Sequence, residues 1–132
     1  MEAIRVVLRY VDGAVRKGYT PDFHPDSTTF HFHDKDPEAP ATELGFDGLK
    51  ALFLVRSFDG NPYYTERKEF VEGDKTYGDK VEVRFGDGET MQASSLGYHP
   101  QRLGLFLLPP DPKSNNVLVY AVLPAVEHFR YL

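Results

Sequence analysis

The sequence of 132 residues predicts a mainly β protein, either two small five-stranded barrels in tandem or one barrel built from a duplicated five-strand unit. Three observations carry that expectation. Ile4–Val11 and Val81–Phe85 alternate apolar with polar or charged side chains, the period of a strand buried on one face. Eleven Gly and ten Pro cut the chain into pieces too short for a helical bundle. The chain also aligns with itself. Val6–Gly13 lies over Val81–Gly88, Phe23-His24-Pro25 over Tyr98-His99-Pro100, and Thr29–Phe32 over Gly104–Leu107, all at an offset of 75 residues.

Taken in order, each half reads as a strand, a tight turn, two more strands and a closing pair. The first strands, Ile4–Val11 and Val81–Phe85, end at Asp12-Gly13 and Asp87-Gly88, where glycine supplies the positive φ of a tight hairpin. The partner strands are Ala14–Thr20 and Glu89–Leu96, and an aromatic-His-Pro bend then leads to third strands at Thr28–His33 and Gly104–Leu108. Pro109-Pro110-Asp111-Pro112 stops the second of these. Fourth and fifth strands are expected near Glu43–Phe46 and Leu49–Phe58, and at Val117–Val122 and Ala125–Tyr131. The organisation is therefore a first repeat over 1–59, a polar linker over 60–79 in which only Tyr64–Phe70 is able to form a short helix, and a second repeat over 80–132.

Composition limits what such a protein can do. The absence of Cys excludes disulfides, cysteine-ligated zinc, iron–sulfur clusters and thiol catalysis. A net charge of −5 gives no general attraction to a phosphate backbone, which disfavours nucleic acid and anionic membrane as partners. Most of that charge sits in residues 1–75. The N-terminal residues enter a strand without a basic stretch or an apolar run of signal length, and Ala51–Val55 is far too short to span a bilayer. The expected location is the cytoplasm.

Several families are resembled in part. Val6–Leu8, Asp12-Gly13, Lys17-Gly18, Phe23-His24 and Phe30–Phe32 follow in the order of an Sm-like first signature, which implies a small SH3-like or Sm-like barrel. The Asp and Asn that contact RNA in that family are replaced by His24 and Thr28-Thr29, so the resemblance carries the barrel rather than the RNA site. Arg5-Val6-Val7-Leu8-Arg9, with Gln92–Gly97 in place of the acidic turn, is similar to the two-part motif of PilZ domains. That likeness implies cyclic di-GMP held by guanidinium forks. The whole chain also resembles an uncharacterised bacterial family of duplicated β-domains in which Lys113-Ser114-Asn115-Asn116 is distinctive, and no activity follows from it.

The candidate sites are few. Arg5 and Arg9 share a strand face, and Lys113, Asn115 and Asn116 form a turn able to hold an anion or a peptide backbone, so these five are the candidate ligand-binding residues. Phe58, Tyr63, Tyr64, Arg67 and Phe70 have the composition of a contact surface. His31 and His33, two apart on a strand, are the weak candidates for a metal, with the competing reading of a polar strand edge whose Phe30 and Phe32 pack inward. His24 and His99 read as caps of their bends before proline. Ser57, Ser94, Ser95 and Ser114 lie in no nucleophile elbow, and no phosphate-cradling glycine loop occurs. The sequence thus points to a non-enzymatic binding or adaptor module without a cofactor, whose partner is a protein or a second copy of itself.

Overall fold

The computed structural model describes residues 3–36 and 38–132, and it is almost wholly antiparallel sheet. The strands are β1 (Ile4–Tyr10), β2 (Val15–Thr20), β3 (Thr29–Asp34), β4 (Thr42–Gly45), β5 (Leu49–Val55), β6 (Asp79–Phe85), β7 (Thr90–Ser95), β8 (Gly104–Leu108), β9 (Asn116–Val122) and β10 (Val126–Tyr131). A single 3-10 turn, Leu123–Ala125, precedes β10. The Asp-Gly turns fall where the sequence requires them: Gly13 and Gly88 take φ of +93° and +94°. Gly18 in β2 answers a different need, since a Cβ there would overlap the His33 carbonyl and the Phe32 ring.

All the strands lie in one sheet, in the order β10-β6-β7-β8-β9-β5-β1-β2-β3-β4. The order within β6–β10 is that within β1–β5: the fifth strand pairs with the first, and the first four follow in sequence. The expected barrel does not close. The reason lies in β5, Leu49–Val55, which is buried along nearly its whole length and is therefore unsuited to an edge. It takes β1 on one flank and β9 on the other, so that β4 and β10 are left as the two ends of an open sheet.

Burial shows how the sheet is shaped. Val7, Ala51, Phe53, Val81, Val83, Phe85, Leu107 and Val119 belong to one apolar cluster. Val6, Leu8, Phe30, Phe32, Leu52 and Tyr120 belong to another. Because side chains alternate along a strand, β1, β5 and β9 feed both clusters, one from each face. No α-helix among the described residues covers either face, so near-complete burial requires the sheet to coil over itself. β6, β7 and β8 contribute to the first cluster and β3 to the second, with the three central strands shared.

Tyr64–Phe70, the stretch of the linker able to form a short helix, is not helical. Its backbone donors are bound by side chains from elsewhere: Arg67 N–H donates to Asp111 at 3.0 Å and Phe70 N–H to Gln92 at 3.1 Å. Such long-range partners replace the i→i−4 ladder that a helix would need. The linker instead runs as an extended strap over the second half.

Candidate functional site

Two concave features lie on either side of the turn that joins β8 to β9. The turn itself is built first. Asp111 is buried and accepts hydrogen bonds from the Tyr64 hydroxyl, from Arg67 N–H at 3.0 Å and from Lys113 N–H at 2.9 Å. The tyrosine hydroxyl, followed by these amides, holds its carboxyl down to about 2. Ser114, also buried, donates to Glu66 at 2.7 Å and accepts from Asn116 N–H at 3.0 Å. Arg56 donates to the Ser114 and Pro112 carbonyls. Asn115 behaves as an added length of backbone, with Oδ1 accepting from Ser57 N–H at 3.1 Å and Nδ2 donating to the Ser57 carbonyl at 2.9 Å.

The first feature is a hollow of about 320 Å³ lined by Val7, Arg9, Lys17, Phe53, Phe58, Asp59, Asn115 and Asn116 among others. Strand register creates it. Val7 pairs with Lys17 across β2 and with Phe53 across β5, so Arg5, Val7 and Arg9 share a face with Lys17 and Phe53. The Arg9 guanidinium lies 5.8 Å from the Phe53 ring, and Arg5 lies 5.6 Å from the Phe58 ring while donating to the Arg56 carbonyl. Lys17 donates to the Phe58 carbonyl at 3.0 Å. Arg9, Asn115, Asn116 and Phe58, single candidates in the sequence, are thus brought to one place; Lys113 lines neither feature. Lys17 and Phe53 were missed. Their signal was the cross-strand register, which the sequence does not print.

The second feature is a cleft of about 400 Å³ between the strap and the turn, lined by Asp74, Lys75, Tyr77, Leu108, Pro109, Pro110 and Pro112 among others. Its outer wall is held by a two-pronged bond from Arg67 to Asp74, at 2.7 and 3.0 Å. Of the five residues expected at a contact surface, Tyr64 and Arg67 are spent on fixing the strap, Phe58 packs edge-on to Tyr19, and Phe70 carries Lys80 over its ring. Tyr63 projects, 98% exposed, and Tyr77 is 72% exposed beside the cleft.

The remaining candidates separate. Gln92 lines another hollow and accepts from Phe70 N–H, so it does not meet Arg5 and Arg9. Phe30 and Phe32 are buried, while His31 faces outward and is gripped by Asp22, whose oxygens take His31 Nδ1 at 2.6 Å and its backbone N–H at 2.8 Å. The Asp22 hydrogen bond raises the His31 pKa. Among the described residues no three His, Asp or Glu side chains are grouped to hold a metal ion. No helix among them is long and apolar enough to cross a membrane.

Fold and site together define a class: an all-antiparallel open sheet with two cores, a strapped linker and concavities on either side of the β8–β9 turn. The chain belongs to a family of unknown function, DUF6982, whose model matches residues 2–132. No curated protein and no solved structure matches it.

Proposed function

We propose that the chain is a non-enzymatic binding module acting through protein contacts, built from two copies of one five-strand unit, 1–59 and 80–132, joined by the strap. The surface is the cleft beside Tyr77. What carries the reading is an apolar lining of Leu108, Pro109, Pro110 and Pro112 beside a tyrosine left 72% exposed, with the wall fixed in advance by Arg67 and Asp74. Rigid walls and a large aromatic rim lower the ordering cost of binding an extended peptide segment. The serines support a structural rather than a chemical use: Ser57 bonds Asn115 and Gly60, Ser95 bonds Gly97, and Ser114 bonds Glu66.

The test is selection of binders from a random-peptide display library, followed by titration of the synthetic peptides. Tyr77→Ala is expected to weaken them by at least roughly tenfold while the melting temperature stays unchanged, the behaviour of a rim aromatic at a contact hot spot. Equal binding to the variant, or no enrichment at all, would remove the cleft as the contact surface.

A further inference from the structure

The hydrogen bonds already made around the Tyr77 cleft leave its charged side chains with donors to offer and no acceptor. Two carboxylates line it, and both are used up. Asp74 takes the fork of Arg67 and Val71 N–H at 2.8 Å, and Asp111 takes the Tyr64 hydroxyl with two backbone amides. Arg56 is a donor fixed in place. Its Nε donates to the Ser114 carbonyl at 3.0 Å and Nη2 to the Pro112 carbonyl at 3.2 Å, which sets the plane of the guanidinium and leaves Nη1 without a partner among the described residues. Lys75 lines the cleft from the strap and pairs with no carboxylate among the described residues. Ser94 is the third donor. It stands two residues after Gln92 on β7 and so shares the face on which Gln92 accepts from Phe70 of the strap, with Leu108 opposite in β8. The residue is 4% exposed and lines the cleft, and its hydroxyl bonds to no other described residue. A buried hydroxyl left unpaired carries a cost that alanine at this position would avoid.

We propose that the cleft recognises an acidic side chain, aspartate or glutamate, within an extended peptide, a refinement that rests on the cleft being the contact surface. The peptide carboxylate meets Nη1 of Arg56, Lys75 adds a point charge from the strap, and the Ser94 hydroxyl donates from the sheet. Because carbonyls already hold the Arg56 guanidinium, little side-chain freedom is lost when the ligand arrives. Leu108, Pro109 and Pro110 take an apolar neighbour of the acidic residue, beside the exposed ring of Tyr77. A basic segment meets like charge at Arg56 and Lys75 and finds no free carboxylate, so the same groups discriminate as well as bind. The chain's net charge of −5 opposes an acidic partner only weakly here, because exposed charges more than about 8 Å away are largely screened at physiological salt.

The experiment is calorimetric titration of the full chain with a peptide from the display selection, the same peptide with each Asp and Glu changed to its amide, and the same peptide amidated at its C-terminus. Selected peptides are expected to carry Asp or Glu beside an apolar residue. The side-chain amide form should bind at least roughly tenfold more weakly, as loss of a charge-assisted contact does, and the C-terminally amidated form as tightly as the parent. Arg56 also ties the turn, so Ser94 and Lys75, whose side chains tie nothing, carry the mutational test. Ser94→Ala and Lys75→Ala should each weaken the acidic peptide by roughly three- to tenfold with the melting temperature held, and neither should change binding of the side-chain amide form. A merely structural role for either residue would weaken both forms alike. Acid and amide forms that bind equally, while Tyr77→Ala still weakens both, would overturn the acidic class and leave the cleft as the contact surface. Loss of binding on C-terminal amidation would overturn the side-chain assignment in favour of a terminal carboxylate. No enrichment of any peptide would remove the cleft as the contact surface, and this assignment with it.

Discussion

The inner seam of the sheet and its two outer edges share a backbone plan and differ in every side chain that matters. At the seam, β5 and β9 pair Ala51 with Ala121, Leu52 with Tyr120, and Phe53 with Val119, and these residues are almost wholly buried. Tyr120 reaches into the cluster that holds Val6 and Leu8 of β1. On β4, which pairs with β3 as β9 pairs with β8, Glu43 lies opposite His31 as Tyr120 lies opposite Phe106, and it is exposed and 3.8 Å from His31. On β10, which pairs with β6 as β5 pairs with β1, His128 lies opposite Arg84 as Ala51 lies opposite Arg9, and Arg130 opposite Glu82 as Phe53 opposite Val7. The same strand order thus carries one flank that must be covered and two that must not. Charges at unpaired edges oppose further strand addition. An apolar strand joined at β4 would bury Glu43, and burying an unpaired carboxylate costs several kcal/mol.

The largest effect should come from moving that charge to the seam. Tyr120→Glu places a carboxylate where the sheet is buried on both faces, and a loss of about 3–5 kcal/mol in urea unfolding is expected, enough to leave a small domain partly unfolded. Tyr120→Phe keeps the shape and removes a hydroxyl that has no hydrogen-bond partner, so stability should be unchanged or slightly higher. A Tyr120→Glu protein as stable as wild type would show that the seam is not the joint that holds the two halves.

The strap gives a second contrast, because polar bonds rather than apolar burial dock it. Asp111→Asn should lower stability by about 2 kcal/mol, the scale of losing hydrogen bonds to a charged acceptor. The pH dependence has a definite sign. The Asp111 carboxyl is held down to about 2 in the folded protein, so its contribution is complete above the ordinary value of roughly 4 and is lost as pH falls toward 2. Melting temperatures measured between pH 5 and pH 2 should therefore converge for wild type and Asp111→Asn. Curves that stay parallel to the acid end would remove Asp111 from the docking of the strap.

Much of the fold was legible because local chemistry agrees with the global plan. Alternation in Ile4–Tyr10 and the positive φ of Gly13 and Gly88 are decided within a few residues, and they appear where the sequence puts them. Closure was not legible. Whether β5 turns to β4 or to β9 is set by which flank buries more apolar surface, a comparison between residues about 65 positions apart. The strap misled for a related reason: Tyr64–Phe70 has a helical composition, but Asp111 and Gln92 take its backbone donors. Of the candidate sites, Arg5 and Arg9 were visible from the period of one strand. Lys17 and Phe53 became their neighbours only through pairing.

The smallest effect on stability, and the sharpest test of the edge, is Glu43→Tyr. The residue is exposed, so unfolding should change by less than about 0.5 kcal/mol. Its effect should lie in association. With tyrosine at position 43, β4 offers an apolar side chain of the kind β9 offers at Tyr120, and Phe129 of β10 stands where Leu52 stands in the seam. A β10 from a second copy could then pair with β4 head to tail, an arrangement that leaves free edges at both ends and so continues to grow. Light scattering of Glu43→Tyr should show a mass that rises with protein concentration. If wild type already grows in this way, the charge on β4 is not what stops the sheet. If Glu43→Tyr stays at the mass of one chain, the limit lies with His128 and Arg130 on the opposite edge, which would then be the side chains to replace.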